Sequence, residues 1–202
     1  MFISIGKIIL VFVCMFPALT SCVSYSTKLE YDVMPDTNKA YIYGNFKMSE
    51  FNMLGASIFI REITKGIDYI IKFDCNGNKF NEESVSVIAV EPGTYKITKF
   101  AFSKGDDFIG KHYLRLYSAH DWEISSIKNG NEFCKKLKNG FQARAGYAYY
   151  IGDYTAKSNY KGNAWYITGI TKIGDNFTKT TSDFKKKFST LNDVAVIHAF
   201  DM

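Results

Sequence analysis

Beyond residue 39 the chain alternates apolar and polar positions with a period of two, the spacing that sends successive side chains to opposite faces of an extended strand. Residues 40–46 (AYIYGNF), 57–62 (SIFIRE) and 67–73 (IDYIIKF) are short, rich in β-branched and aromatic side chains, and bounded by Gly, Asn or Asp. Each predicts a strand. Asn76-Gly77 follows the third, and because both turn positions need positive φ the pair predicts a hairpin there. Residues 84–91 (SVSVIAVE) and 94–103 (TYKITKFAFS) predict two more strands joined across Pro92-Gly93, hence neighbours in an antiparallel sheet. The pattern continues at 107–118, 122–127, 141–145, 147–155, 164–173 and 194–200. Helix is the exception. Thr181-Ser182-Asp183 can cap a segment in which Phe184, Phe188 and Leu191 recur at i, i+4 and i+7, and residues 131–137 predict one further helical turn. About ten short strands with one short C-terminal helix predict an all-β fold, mainly an antiparallel β-sandwich, with a small barrel as the alternative. No fixed-period repeat is present, which argues against a propeller or solenoid.

The amino terminus departs from this pattern. Met1 to Leu19 carries a single charge, Lys7, ahead of the apolar run IILVFVCMFPAL that begins at Ile8. A run of this length suits an export signal, whereas a spanning helix needs roughly 20 apolar residues, and Pro17 stops a helix from continuing. The next residues, Leu19-Thr20-Ser21-Cys22, resemble the lipobox of bacterial lipoproteins. That resemblance implies diacylglyceryl attachment to the thiol of Cys22, cleavage after Ser21 and acylation of the new amino terminus. Val23 in place of Asp after the cysteine implies a passenger for the outer membrane. Each buried methylene contributes about 0.8 kcal/mol, so two or three acyl chains anchor permanently. The resemblance divides the chain into a signal peptide (1–21), a lipidated tether (22–38) and a single β-sandwich domain (39–202). The tether mixes small and polar residues, ends at Pro35-Asp36, and spans roughly 50 Å when fully extended. An ordinary cleaved signal or an uncleaved anchor is the alternative, and both keep the protein outside the cytoplasm.

Composition agrees with a folded body: of 202 residues 47% are hydrophobic, with 14 Tyr and 17 Phe, too apolar for a disordered chain. Removing residues 1–21 takes one Lys with it, so the net charge goes from +5 to +5 − 1 = +4. The 181 residues left can bury roughly 70% of their unfolded surface, enough for a core that needs no metal. Of the four cysteines Cys14 leaves with the signal and Cys22 takes lipid, leaving Cys75 and Cys134. In an oxidising compartment a disulfide between them is the first expectation; on the chain-entropy model it stabilises by roughly 4 kcal/mol. Two buried thiols are the second expectation and a catalytic thiol the last, since no CxxC is present.

Two further stretches, VEPGTYKI (90–97) and ARAGYAYYIGDY (143–154), resemble a pair found in small β-sandwich domains of bacterial lipoproteins without assigned activity. A Pro-Gly turn launches one strand there, and an Ala-Gly pair followed by aromatics forms the other. The resemblance supports the fold and carries no mechanism.

Reactive chemistry is sparse. The three histidines, His112, His120 and His198, form neither HxH nor HExxH, and no G-x-S-x-G nucleophile is present. Ser-x-x-Lys occurs at Ser125, Ser158 and Ser182, without the Ser-x-Asn or Lys-Thr-Gly partners that would give it meaning. The acidic pairs Glu82-Glu83 and Asp106-Asp107 lie beside turns and lack EF-hand spacing. No Walker loop or GxGxxG follows a strand, so no metal or cofactor is expected, and export removes nucleic acid as a partner. What remains is aromatic: Tyr147, Tyr149, Tyr150, Tyr154, Trp165 and Tyr166. Strict alternation would put Tyr147, Tyr149 and Ile151 on one face and Tyr150 and Tyr154 on the other, one set in the core and the other free to form a binding platform for a sugar ring or protein. The expectation is thus a non-enzymatic, membrane-anchored lipoprotein with a binding or structural role in the bacterial cell envelope, at the outer membrane, partnered by the membrane and by an envelope protein or glycan. A glycan- or peptidoglycan-binding module is the runner-up. An envelope hydrolase using His120 and Asp121 is the last alternative.

Overall fold

A computed structural model describes residues 34–47, 53–74, 83–104, 115–116, 122–123, 139–161, 164–172 and 176–200. In chain order the strands are β1 (Ala40–Lys47), β2 (Met53–Glu62), β3 (Asp68–Asp74), β4 (Glu83–Val90), β5 (Gly93–Lys104), β6 (Arg115–Leu116), β7 (Trp122–Glu123), β8 (Phe141–Ala143), β9 (Tyr147–Lys161), β10 (Ala164–Lys172) and β11 (Ala195–His198), with helix α1 (Phe177–Lys187) before the last. β6, β7 and β8 are only two or three residues long. Eight strands of substantial length therefore carry the fold, where the alternation predicted about ten. The Asn76-Gly77 turn and the helical turn at 131–137 lie outside the described residues.

The strands form two sheets facing each other in a sandwich-like arrangement. One runs β3-β2-β5, with β8, β7 and β6 on the far side of β5, and every pairing in it is antiparallel. The other runs β10-β9-β1-β4 and is mixed, because β9 lies parallel to both β1 and β11. The expectation of a mainly antiparallel fold holds among the described residues, where seven of nine pairings are antiparallel, and the two parallel ones both involve β9. β9 reaches the sheet only after the chain has passed through the opposite sheet, and no short hairpin constrains its direction.

Alternation decides which side chains meet. Ala40, Ile42 and Phe46 of β1, Ala56, Ile58 and Ile60 of β2, and Tyr69, Ile71 and Phe73 of β3 point between the sheets. The intervening β1 residues, Tyr41 and Tyr43, face outward with Val85, Val87, Ala148 and Tyr150, where Phe184, Phe188 and Leu191 cover them. The body thus has three layers: sheet, sheet and helix. Burial of each large apolar side chain contributes about 1.5–3 kcal/mol relative to exposure, and the helix supplies that burial to a face a two-layer sandwich would leave wet.

The helix begins earlier than its sequence signature suggests. It runs from Phe177, and the Asn176 side chain at its start makes no capping bond. Phe188 ends it, and Leu191 follows in a 3-10 turn at Ser189–Leu191. Thr181 does not cap. Its Oγ1 lies 2.7 Å from the Tyr43 hydroxyl, so tertiary contact replaces the local role that a threonine before an apolar run usually plays.

Register shifts interrupt the pairing at four places among the described strands, and two of them reset the alternation in the core. In β5 the register with β2 shifts between Phe59 and Ile60, so Tyr95 and Ile97 point inward and then Phe100 does. In β9 the register with β1 shifts across Gly44, and Gly152 takes φ 122°. Such a bulge moves every later side chain to the opposite face.

Candidate functional site

The bulge at Gly152 decides the fate of the tyrosine-rich strand. Tyr149, Ile151 and Tyr154 all enter the core between the sheets, while Ala148 and Tyr150 face helix α1. Tyr149 is 1% exposed, and Tyr150 and Tyr154 are 0% exposed. The platform expectation is thereby corrected for these three: both faces of β9 are core, one against the second sheet and one against a helix that alternation within the strand cannot reveal. Tyr147, 38% exposed, is accessible. Trp165 and Tyr166 belong to β10, and their side chains lie outside the described residues.

The tyrosines instead work as clasps on the backbone. The Tyr95 hydroxyl donates to the Glu91 carbonyl at 2.6 Å, four residues upstream. Tyr149 accepts from the Arg144 amide at 2.9 Å, Tyr41 accepts from the Asp36 amide at 2.7 Å, and Tyr154 donates to the Ile151 carbonyl at 2.5 Å. In three of the four the ring sits near the start of a strand and its hydroxyl closes the turn just before it. A buried aromatic with a polar tip suits this task, filling core volume while satisfying a backbone group that leaves the ladder. Burial raises the Tyr95 hydroxyl well above its ordinary range, with neighbouring Tyr69, Glu62 and Glu91 adding to the effect. Burial likewise raises Tyr154, reinforced by the charge of Asp153.

The most polar buried cluster joins β9 to helix α1. Asp153 is buried within the aromatic-rich first half of β9. It accepts from the Tyr150 hydroxyl at 2.8 Å and from the Thr180 hydroxyl at 3.0 and 2.8 Å to its two oxygens. One helical position further, Thr181 meets Tyr43, whose ring stacks on Phe184 at 4.2 Å between centroids. Burial raises the Tyr43 hydroxyl; the Thr181 bond opposes the rise and the charge of Asp153 adds to it. His198 of β11, half-buried, packs edge-on to Tyr150 at 5.1 Å and beside Phe177 at 5.6 Å. Chemically this cluster is a fastener. Its carboxylate is enclosed and bonded by two hydroxyl donors, one of them on the helix, so it holds α1 on the sheet rather than facing solvent.

Glu62, the second buried carboxylate, closes the turn between β2 and β3. Burial pushes it up, but the amides of Lys65, Thr64 and Thr94 and the Thr64 hydroxyl together hold it below its ordinary value. Its side chain also packs 3.1 Å from where a Cβ on Gly93 would lie, so the β4–β5 turn and the β2–β3 turn fit each other. The stretches VEPGTYKI and ARAGYAYYIGDY meet beside it, since Gly93 of β5 pairs with Ala143 of β8.

Cys22, Cys75, Cys134, His112, His120 and Asp121 lie outside the described residues. Among the described residues no three His, Cys, Asp or Glu side chains gather where they would hold a metal ion. Asp153 and Glu62 are the buried acids that sequence reasoning missed. An Asp inside the apolar run YAYYIGDYT was the available signal for the first; Glu62 reads from sequence as a solvated end-of-strand acid. Compared with known protein families and with curated protein sequences, the chain matches none.

Proposed function

We propose that this protein is a lipid-anchored bacterial lipoprotein of the outer membrane whose β-sandwich body has a binding or structural role in the cell envelope and no catalytic one. The observation that carries this reading is Leu19-Thr20-Ser21-Cys22 directly after a short apolar run with one basic residue ahead of it. The body supports it from a second direction. Both described buried carboxylates are consumed in holding the fold, Glu62 at a turn and Asp153 under the helix, where neither reaches a substrate. The enclosed tyrosines likewise serve the core, which takes weight from glycan recognition through β9.

Labelled palmitate tests the anchor. Cells expressing the full chain incorporate label, the Cys22→Ala chain does not, and globomycin leaves the unprocessed form to accumulate. Incorporation unchanged by Cys22→Ala sinks the reading.

A further inference from the structure

One end of the body gathers five connecting segments: residues 34–39 before β1, 63–67 between β2 and β3, 91–92 between β4 and β5, 144–146 between β8 and β9, and 192–194 before β11. They are stitched together. The Ile63 amide donates to the Thr94 carbonyl at 2.8 Å, the Gly146 amide donates to the Lys39 carbonyl at 2.8 Å, and Lys39 pairs with Glu91. The large apolar side chains exposed among the described residues are Met34 at 78%, Ile63 at 44% and Tyr147 at 38%. All three stand at this end.

Charge does not account for the exposure. Arg61 forms a two-pronged bond with Asp68 at 2.7 and 2.6 Å, and Lys39 is matched by Glu91. Lys65 and Arg144 are equalled in number by Asp36 and Asp193. With Glu62 of the β2–β3 turn counted, four cations face five acids, so the end is close to neutral and carries apolar tips, one of them a tyrosine, a residue that settles well at a headgroup boundary.

The chain enters at the same end. Met34 is twelve residues from Cys22, so a lipidated thiol lies at most about 40 Å from the body, along a segment whose far side is fixed by the Asp36 to Tyr41 bond. A body held that close experiences the membrane at high effective concentration, and a contact too weak to recruit a free protein suffices to orient a tethered one.

We propose that this turn-bearing end rests on the phospholipid surface into which the protein is anchored, with Met34, Ile63 and Tyr147 entering the headgroup layer. The inference rests on the anchor at Cys22. It sets the opposite end, where β1 and β3 finish, toward the aqueous phase.

A photoreactive phenylalanine derivative placed in turn at Met34, Ile63 and Tyr147 of the full chain tests it in membranes of the producing cell, with Lys72 on β3 and Lys186 on α1 as reference positions. Each of the five side chains is exposed, so each position tolerates the probe. Phospholipid adducts several-fold more abundant at the three turn positions than at the two references are expected. Equal adducts at all five, or none, overturn the proposal. Adducts to a second copy of the chain or to another protein at Ile63 and Tyr147 in place of lipid overturn it as well. Palmitate labelling of the same preparation separates the two readings: a labelled chain without lipid adducts loses only the surface, whereas an unlabelled chain loses both.

Discussion

At the scale of single residues, one tight constraint is the approach of β1 to β9 at Gly44. A Cβ there would lie 2.9 Å from the Gly152 carbonyl oxygen and 3.0 Å from Ile151 Cγ1. Backbone cannot retreat as a flexible side chain can, so Gly44→Ala should destabilise by about 1–3 kcal/mol, the usual cost of overpacking. An unchanged Tm on thermal unfolding would show that the two strands sit further apart. Gly152 opposite permits the bulge through its φ of 122°. Both glycines stand in the sequence within strand patterns, where an isolated glycine suggests a bulge or a close approach. Their partnership was not legible, because Gly44 and Gly152 are far apart along the chain and only strand pairing brings them together. For the same reason alternation misplaced Tyr154: counting by two is sound until an unseen extra residue shifts the count.

At the scale of elements, helix α1 is joined to its sheet by an apolar stripe and a polar fastener. Phe184, Phe188 and Leu191 were legible as an apolar series at helical spacing, although only Phe184 lies within α1, with Phe188 closing it and Leu191 in the 3-10 turn beyond. The fastener was not, because Thr180 and Asp153 belong to different elements and look unremarkable within each. Thr180→Val keeps the shape and removes the hydroxyl whose one hydrogen is shared between the two Asp153 oxygens, at 3.0 and 2.8 Å. It should cost about 1.5–3 kcal/mol, as expected for a hydrogen bond to a buried charged group. In an Asp153→Asn background the same substitution should cost clearly less, since residues sharing a bond are not additive. Equal costs in the two backgrounds, measured by urea unfolding, would show that the threonine acts through its own packing.

At the scale of the whole molecule, buried ionisable groups define the pH range over which the body holds. Glu62 is kept below its ordinary value of 4.5, so the stability its bonds supply is complete above that pH and lost as pH falls through the depressed folded value. Tyr43, Tyr95 and Tyr154 are raised above 10, so their contribution is complete below pH 10 and is lost as the pH climbs toward the raised values. Tm should be flat between these limits and fall on both sides. Glu62→Gln should lower Tm at neutral pH, and its gap to the unsubstituted protein should close in acid. Phenolate absorbance of the buried rings should appear only with unfolding, and a full complement of phenolate in the folded protein near pH 10 would contradict the burial described above. What the sequence by itself determined is what depends on near neighbours: the apolar run ahead of Cys22, the period of two that makes strands, and the presence of one helix before the last strand. Tertiary structure alone decided the parallel course of β9, the bulge that turns Tyr154 inward, and the helix covering the second tyrosine face. It also turned an aromatic surplus that reads as a binding surface into core and clasps. The physical reason is range. Periodicity and turn chemistry act over a few residues, whereas the direction of β9 is set by β1, about a hundred residues upstream, and the helix that encloses Tyr150 and bonds Asp153 lies 27 residues beyond that carboxylate.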